Sequence, residues 1–366
     1  MKNEDIKEGL ILRNSWNEFC DSLKEAGTII KSEELNDPLL DNTEGYRYLT
    51  RLLRVGLEMS LEKGDKYFPE FYALCHDTAK FGGDNPDNLY QNATIDGSLN
   101  YRIWGNKGTV HYLSFITNEN RFAEDGTMTK TGELEPKDML FDNKGNFEIF
   151  LSQETKQRNW LPMELDTNLV VVRQTFLDKL TEIPANINIE CLNGIDKPTN
   201  LSIHHMEQGL KKAVNFVKGT ANTFNNWTKI FKEQPNQFSS IKQSMYLNAG
   251  GDPSIHYLYG HWALDEGQGL IIRTQIPTCE YWNFHLNNHW LESLDYRYFD
   301  ICINNASANL ESDGSLIVLV STKNPGASNW LDVAHHKSGT MTLRWVNSDT
   351  FPLPETEVIN LKDSFR

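Results

Sequence analysis

Residues 281–298, YWNFHLNNHWLESLDYRY, gather two histidines, three asparagines, two acids, one arginine and six aromatic rings. Three kinds of chemistry could follow. His285 and His289 would reach one metal ion from a helix, where four residues rise about 6 Å. On a strand the same pair stands roughly 13 Å apart, at ~3.3 Å per residue. The alternation argues for a strand, with Trp282, Phe284 and Leu286 on an apolar face and Tyr281, Asn283, His285 and Asn287 on the other. No metal site is therefore expected, and the neighbours His335 and His336 would point apart in any regular element. Beyond Asn288 the alternation stops, and Glu292, Asp295, Tyr296 and Arg297 crowd together. Such a mix suits acid–base work: tyrosine and histidine exchange protons, while arginine holds an oxyanion or carboxylate. The plain alternative is an ion pair, Asp295–Arg297 or Glu292–Arg297, tying a loop to its sheet.

The elements that must position these groups come from a plan that occurs twice. GGDNP at 82–86 recurs as GGDP at 250–253, HYLSF at 111–115 aligns with EYWNF at 280–284, and GNFEIFLS at 145–152 with GSLIVLVS at 314–321. RNWLP at 158–162 and VVVRQTF at 170–176 likewise match SNWLD at 328–332 and MTLRWV at 341–346. A common order at a nearly constant offset reads as an internal repeat. Arg173 with Arg344, and Trp160 with Trp330, then have shared architectural roles. The polar residues do not repeat: six of ten histidines lie between 256 and 336, and HYLSFITNENR has no histidine where the second half has His285 and His289.

Each half opens on a helix. Tyr48, Leu52, Val55 and Met59 form one stripe, with a stop at Gly64 and Asp65, and Leu210, Val214, Val217 and Phe224 form another. Runs rich in Val, Ile, Tyr, Phe and Thr then alternate with Gly, Asn and Asp turns, as in antiparallel sandwiches. The expected class is α+β, mainly antiparallel β, with two duplicated jelly-roll or β-sandwich-like halves, each preceded by helices. The expected divisions are an N-terminal helical region (1–81), a first β-rich repeat (82–195), a helical insertion (196–249) and a second β-rich repeat carrying the candidate site (250–366). NGIDKPTN at 193–200 is the best boundary, and halves of this kind are expected to dock closely.

Composition narrows the partners. An apolar fraction of 39% supports real cores, and a formal charge of −15 argues against nucleic acid or anionic membrane. No stretch approaches the ~18 apolar residues of a span, and MKNEDIKEGL lacks the core of a secretory signal. Five scattered cysteines, never C-x-x-C, suit reduced thiols in a cytoplasmic protein. There is no G-x-G-x-x-G, Walker loop, H-E-x-x-H or G-x-S-x-G.

Three segments carry a resemblance: GGDNPDNLYQNATIDGSLNYRIWGNKGTVHYLSF, YWNFHLNNHWLESLDYRY and NWLDVAHHKSGTMTLRWV. They resemble the bacterial domain-of-unknown-function 1214 family, over most of the chain from about Glu44. The resemblance implies a β-sandwich or jelly roll with helical additions. Its pattern L-N-N-x-W-x-E-S-L-D-Y-R is matched by Asn287, Asn288, Trp290, Glu292, Tyr296 and Arg297, and a histidine before K-x-G-T-M by His336. His285 stands where relatives are expected to have glutamine, and His335 where they have a small residue.

The leading expectation is an enzyme acting on a small, partly apolar molecule by metal-independent acid–base chemistry, in a pocket of the C-terminal half and without a cofactor. Tyr296 and His336 would transfer protons and Glu292 would orient or act as base. Arg297, Asn288, Asn287, His285 and Trp290 would bind substrate. The alternatives are a non-catalytic small-molecule-binding protein or a structural, assembly protein. No nucleic acid or membrane partner is expected, and a homo-oligomer is compatible with the sequence.

Overall fold

The structure is a computed structural model that describes residues 3–31, 35–239 and 241–364. The chain opens on α1 (Asn3–Ala26) and α2 (Pro38–Leu57). Pro38 is pre-set for a first helical turn, and the Asp37 side chain caps it by accepting from Leu40 N at 3.3 Å. Three of the four stripe residues, Tyr48, Leu52 and Val55, are buried in a core shared with Phe216 and Val217, whereas Met59 falls past the α-helix and is half-buried. The helix then widens into a π turn over Glu58–Glu62. Asp41 and Glu44 are also buried, an arrangement apolar periodicity does not foresee.

The first β-rich half follows: β1 (Asn88–Thr94), β2 (Tyr101–Asn106), β3 (Tyr112–Arg121), a single turn α3 (Phe122–Asp125), β4 (Thr127–Leu134), β5 (Asn146–Ser152), β6 (Trp160–Pro162), β7 (Leu169–Thr175) and β8 (Asn186–Cys191). A long helix, α4 (Ile203–Lys232), is capped by Ser202, which accepts from His205 N at 3.1 Å. It runs for about 45 Å at 1.5 Å per residue, and Leu210, Val214, Val217 and Phe224 are buried along it, as their spacing predicts. After β9 (Gln237–Phe238) and α5 (Ser244–Asn248) come β10 (Ile255–Ala263), β11 (Gln268–Gln275), β12 (Tyr281–Asn287), β13 (Cys302–Asn304), β14 (Ser315–Ser321), β15 (Trp330–Asp332), β16 (Ser338–Val346), β17 (Glu355–Asn360) and the terminal turn α6 (Leu361–Ser364).

The two halves have the same strand order. The first is built from sheets β1-β7-β3-β4 and β6-β5-β2-β8, and the second from β10-β16-β12-β13 and β15-β14-β11-β17. Pairing is antiparallel except at β5–β6 and β14–β15, again matched between halves. Alternation along each strand sends one face into a sandwich core. Ile103, Phe115, Ile149 and Val172 meet in the first, and Trp282, Phe284, Val318 and Trp345 in the second. Each fully buried aliphatic or phenyl side chain contributes about 1.5–3 kcal/mol. The fold class is therefore α+β with antiparallel sandwiches.

In β12 and β16, however, every residue is buried, so the polar faces are not solvent faces. The first half and the helices cover them: Tyr281 shares a small cluster with Tyr112 and Val346, and Phe224, Trp227 and Phe231 of α4 pack on Tyr257 and Tyr259 of β10. No described helix is long and apolar enough to cross a membrane.

Candidate functional site

The sequence-predicted cluster is split by the fold. The loop after β12 folds on Asn288, whose Oδ1 accepts from Trp290 N at 3.0 Å and Glu292 N at 3.1 Å. Its Nδ2 donates to two carboxylates at 2.9 Å each, Glu292 Oε2 and Glu44 Oε2 of α2. Arg51 reaches Glu292 Oε1 at 2.5 Å and Arg47 reaches Glu44 Oε1 at 2.7 Å. His336 follows Ala334 and His335, both in the left-handed region with φ of 46° and 69°. That kink lets its Nδ1–H donate to Ala334 O at 2.8 Å while Nε2 lies 3.0 Å from Glu44 Oε2.

Electrostatics follow from this geometry. Burial opposes charge on both members of the Glu44–His336 pair. Their mutual hydrogen bond and attraction win, holding the carboxyl below and the imidazole above its ordinary value. Burial pushes the Glu292 carboxyl up even with Arg51 bound to it. These groups border a cavity of about 250 Å³, which Lys80 and Asp77 also line. Lys80 donates to Ser293 O and Leu294 O at 2.9 Å each and stands 4.1 Å over the Tyr296 ring.

Glu292, Asn288 and His336 are thus brought together, joined by Glu44 and Arg51, which sequence reasoning missed because they arrive from a helix 241 or more residues away. The other candidates go elsewhere. Tyr296 O–H donates to Asp77 Oδ1 at 2.8 Å, and burial, helped by Asp84 and Asp77, pushes its phenol up. Arg297 is exposed and forks onto Asp295 at 2.8 and 2.7 Å, the ion pair of the plain alternative. Trp290 is buried on Tyr48, with rings 6.0 Å apart, and its indole N–H donates to Asp41 O at 2.8 Å. Asn287 donates to Thr342 Oγ1 at 3.0 Å. His285 is fully buried, with Nδ1 3.2 Å from Arg344 Nη1 and Nε2 without a hydrogen-bond partner. Burial and then the Arg344 charge drive its imidazole well below the ordinary value, so it is neutral. Among the described residues no three His, Cys, Asp or Glu side chains group to hold a metal ion.

A second constellation lies between the halves. Arg173 of β7 donates to Gly250 O at 2.9 Å and meets Asp252 at 3.4 Å, while Arg344 of β16 donates to Gly83 O. Each arginine grips the glycine loop that opens the other half. Glycine is needed in the first loop: Gly82 and Gly83 both have φ of 68°, and a Cβ on Gly83 would stand 2.8 Å from the Tyr259 ring.

Beside this clasp is an inner chamber of about 160 Å³, adjoining an outer one of about 290 Å³. Leu74, Phe81, Met128, Phe224 and Ala249 belong to the walls of both. Exposed Arg121, Glu124 and Lys212 mark the outer chamber's rim at the surface, and Met59 and Ser60 of the π turn line it. The inner chamber is tyrosine-rich, with Tyr246 stacked on Tyr259 at 4.9 Å. The Tyr246 hydroxyl is buried without a hydrogen-bond partner. The repeated arginines and GGD loops were visible in the sequence. Their exchange between halves, which creates the chamber, was not.

Two docked antiparallel sandwiches enclosing an aromatic chamber define the structural class. The chain belongs to the family described as "Protein of unknown function (DUF1214)", whose profile matches residues 264–350. It is similar to an uncharacterised protein from Burkholderia cenocepacia of known crystal structure, at 42% identity and a TM-score of 0.94, covering 97% of this chain and 99% of that one. A Vibrio parahaemolyticus structure shares the fold alone, at 12% identity and a TM-score of 0.50, covering 86% and 98%. No curated protein matches the chain.

Proposed function

We propose that this protein binds a small, partly apolar molecule in the paired chambers between its halves. The observation that carries the reading is a surface-rimmed apolar space ending on tyrosines, the buried Arg344 and the largely buried Arg173. An apolar cavity with a few convergent polar groups is the usual form of a small-molecule site. Two further readings travel with it: the matched halves descend from a duplication, and five free thiols keep with a cytoplasmic setting.

Ala249 lines both chambers, so a large side chain there obstructs them while leaving the clasp in place. The test titrates the neutral apolar fluorophore N-phenyl-1-naphthylamine into the wild type and Ala249→Trp. Saturable binding that weakens at least about tenfold in the variant, at unchanged circular dichroism, is expected. Equal binding by both would place the site elsewhere.

A second reading keeps the acid–base chemistry predicted from the sequence. It is favoured by Glu44, Glu292 and His336 bordering one cavity. Against it, Glu44, Glu292 and His336 already spend their polar atoms on one another, on Asn288, on Ala334 O and on two arginines. Such a saturated set ties α2 to the second sandwich and leaves no open position for a reacting atom.

A further inference from the structure

The charges around the inner chamber do not balance. Arg173 has Asp252 as its counter-ion. Asp84 lines the chamber but spends its two oxygens on Ser293, accepting from N at 2.9 Å and Oγ at 2.8 Å. Asp84 acts through space on two cations, Lys80 and Arg344, and bonds to neither side chain. Arg344 is 4% exposed, and its hydrogen bonds go to Gly83 O, Asn283 Oδ1 and His285 Nδ1, all neutral groups. A buried guanidinium without a directly bonded carboxylate is expensive unless an anion joins it.

The hydrogen-bond supply is lopsided in the same sense. Tyr90 and Tyr257 each accept a backbone N–H, from Asn85 at 3.0 Å and Asp252 at 2.8 Å, which leaves both O–H groups to donate. Tyr246 O–H has no partner at all. The chamber therefore offers donors and a positive charge, and its nearest carboxylates are engaged elsewhere.

Resting on the binding reading above, we propose that the occupant is an organic anion, a small amphipathic carboxylate. Its head lies against Arg344 and the tyrosine hydroxyls, and its apolar body extends past Phe224 toward the outer chamber. Arginine and hydroxyl donors suit a carboxylate better than an alcohol, and they oppose an amine outright.

The experiment displaces N-phenyl-1-naphthylamine with 4-butylbenzoate, 4-butylbenzyl alcohol and 4-butylbenzylamine, which share one apolar body. The acid should displace the probe at a concentration at least about tenfold below that of the alcohol, the amine being weakest. Arg344→Gln should bring the acid-to-alcohol ratio near one. Because Arg344 also grips Gly83, Tyr246→Phe provides a variant that removes a hydroxyl without a protein partner. It should lower the ratio about threefold or more. If alcohol and acid displace equally from the wild type, or Tyr246→Phe leaves the ratio unchanged, the anion assignment falls while the binding reading stands. A wild type that does not bind the probe overturns both.

Discussion

Arg173 and Arg344 reach across to opposite glycine loops from matching strands, yet they end in different company. Arg173 closes on Gly250 O and on a carboxylate, Asp252, whereas Arg344 closes on Gly83 O and on neutral Asn283 and His285. One arginine has a bonded carboxylate and the other does not, because Asp84, which matches Asp252, is bonded to Ser293 and acts on Arg344 only through space. A repeated architecture can thus keep a shared backbone grip while the matching carboxylate is bonded differently in each half, and under the proposal above Arg344 is the arginine that meets the ligand.

The largest effect should come from breaking the complete side. Arg173→Met leaves Asp252 buried with only Ser254 and backbone donors facing it, and an orphaned buried charge costs about 3–5 kcal/mol. Arg344→Met breaks no bond to a carboxylate, and Asp84 keeps Lys80 nearby and both Ser293 donors, so about 1–3 kcal/mol is expected. Urea denaturation of both variants without ligand measures the ordering. A larger loss for Arg344→Met would mean that Asp84 serves as its counter-ion through space.

This contrast also shows what the sequence could disclose. Periodicity is local, so the stripes of α2 and α4 and the alternation of β12 were legible, down to Trp282, Phe284 and Leu286 in the core. The repeated GGD and arginine words were legible too. What they do to each other was not, because Arg344 meets Gly83 across 261 residues. The other face of β12 looked like a working surface and is instead buried beneath the first half, where Asn283 donates to Asn85 Oδ1 at 2.7 Å. Tyr246 carries no signal in its own neighbourhood, for its role depends on α4 and β10 packing around it.

A smaller effect separates the halves by pH. The second half pins α2 with the Glu44–His336 pair, whereas in the first half the loop between β6 and β7 relies on the uncharged Thr167, bonded to Thr131 at 2.8 Å. Glu44 is held below its ordinary 4.5, so its share of stability is present above that value and is lost as pH falls through the lower folded one. His336 is held above 6.5, so its share is complete below 6.5 and is lost as pH rises through the raised folded value. The pair is worth most between about pH 4.5 and 6.5. His336→Gln should cost about 2 kcal/mol in that window and progressively less above it, read from denaturation midpoints across pH. A cost independent of pH would make the histidine a neutral hydrogen-bonding spacer.

The smallest effect concerns the two arginines beside the loop that follows β12. Arg51 meets Glu292 in a buried contact, and Arg297 meets Asp295 at the surface. Exposed ion pairs are screened by water and salt, and two long side chains lose freedom in holding them. Arg297→Ala should leave the thermal midpoint and probe binding where they were, although its sequence context made it the expected substrate anchor. Loss of probe binding in Arg297→Ala, with the fold intact, would move the binding site from the chambers to the loop. Equal probe binding in the two proteins would instead leave Arg297 as the ion pair that holds Asp295 in place.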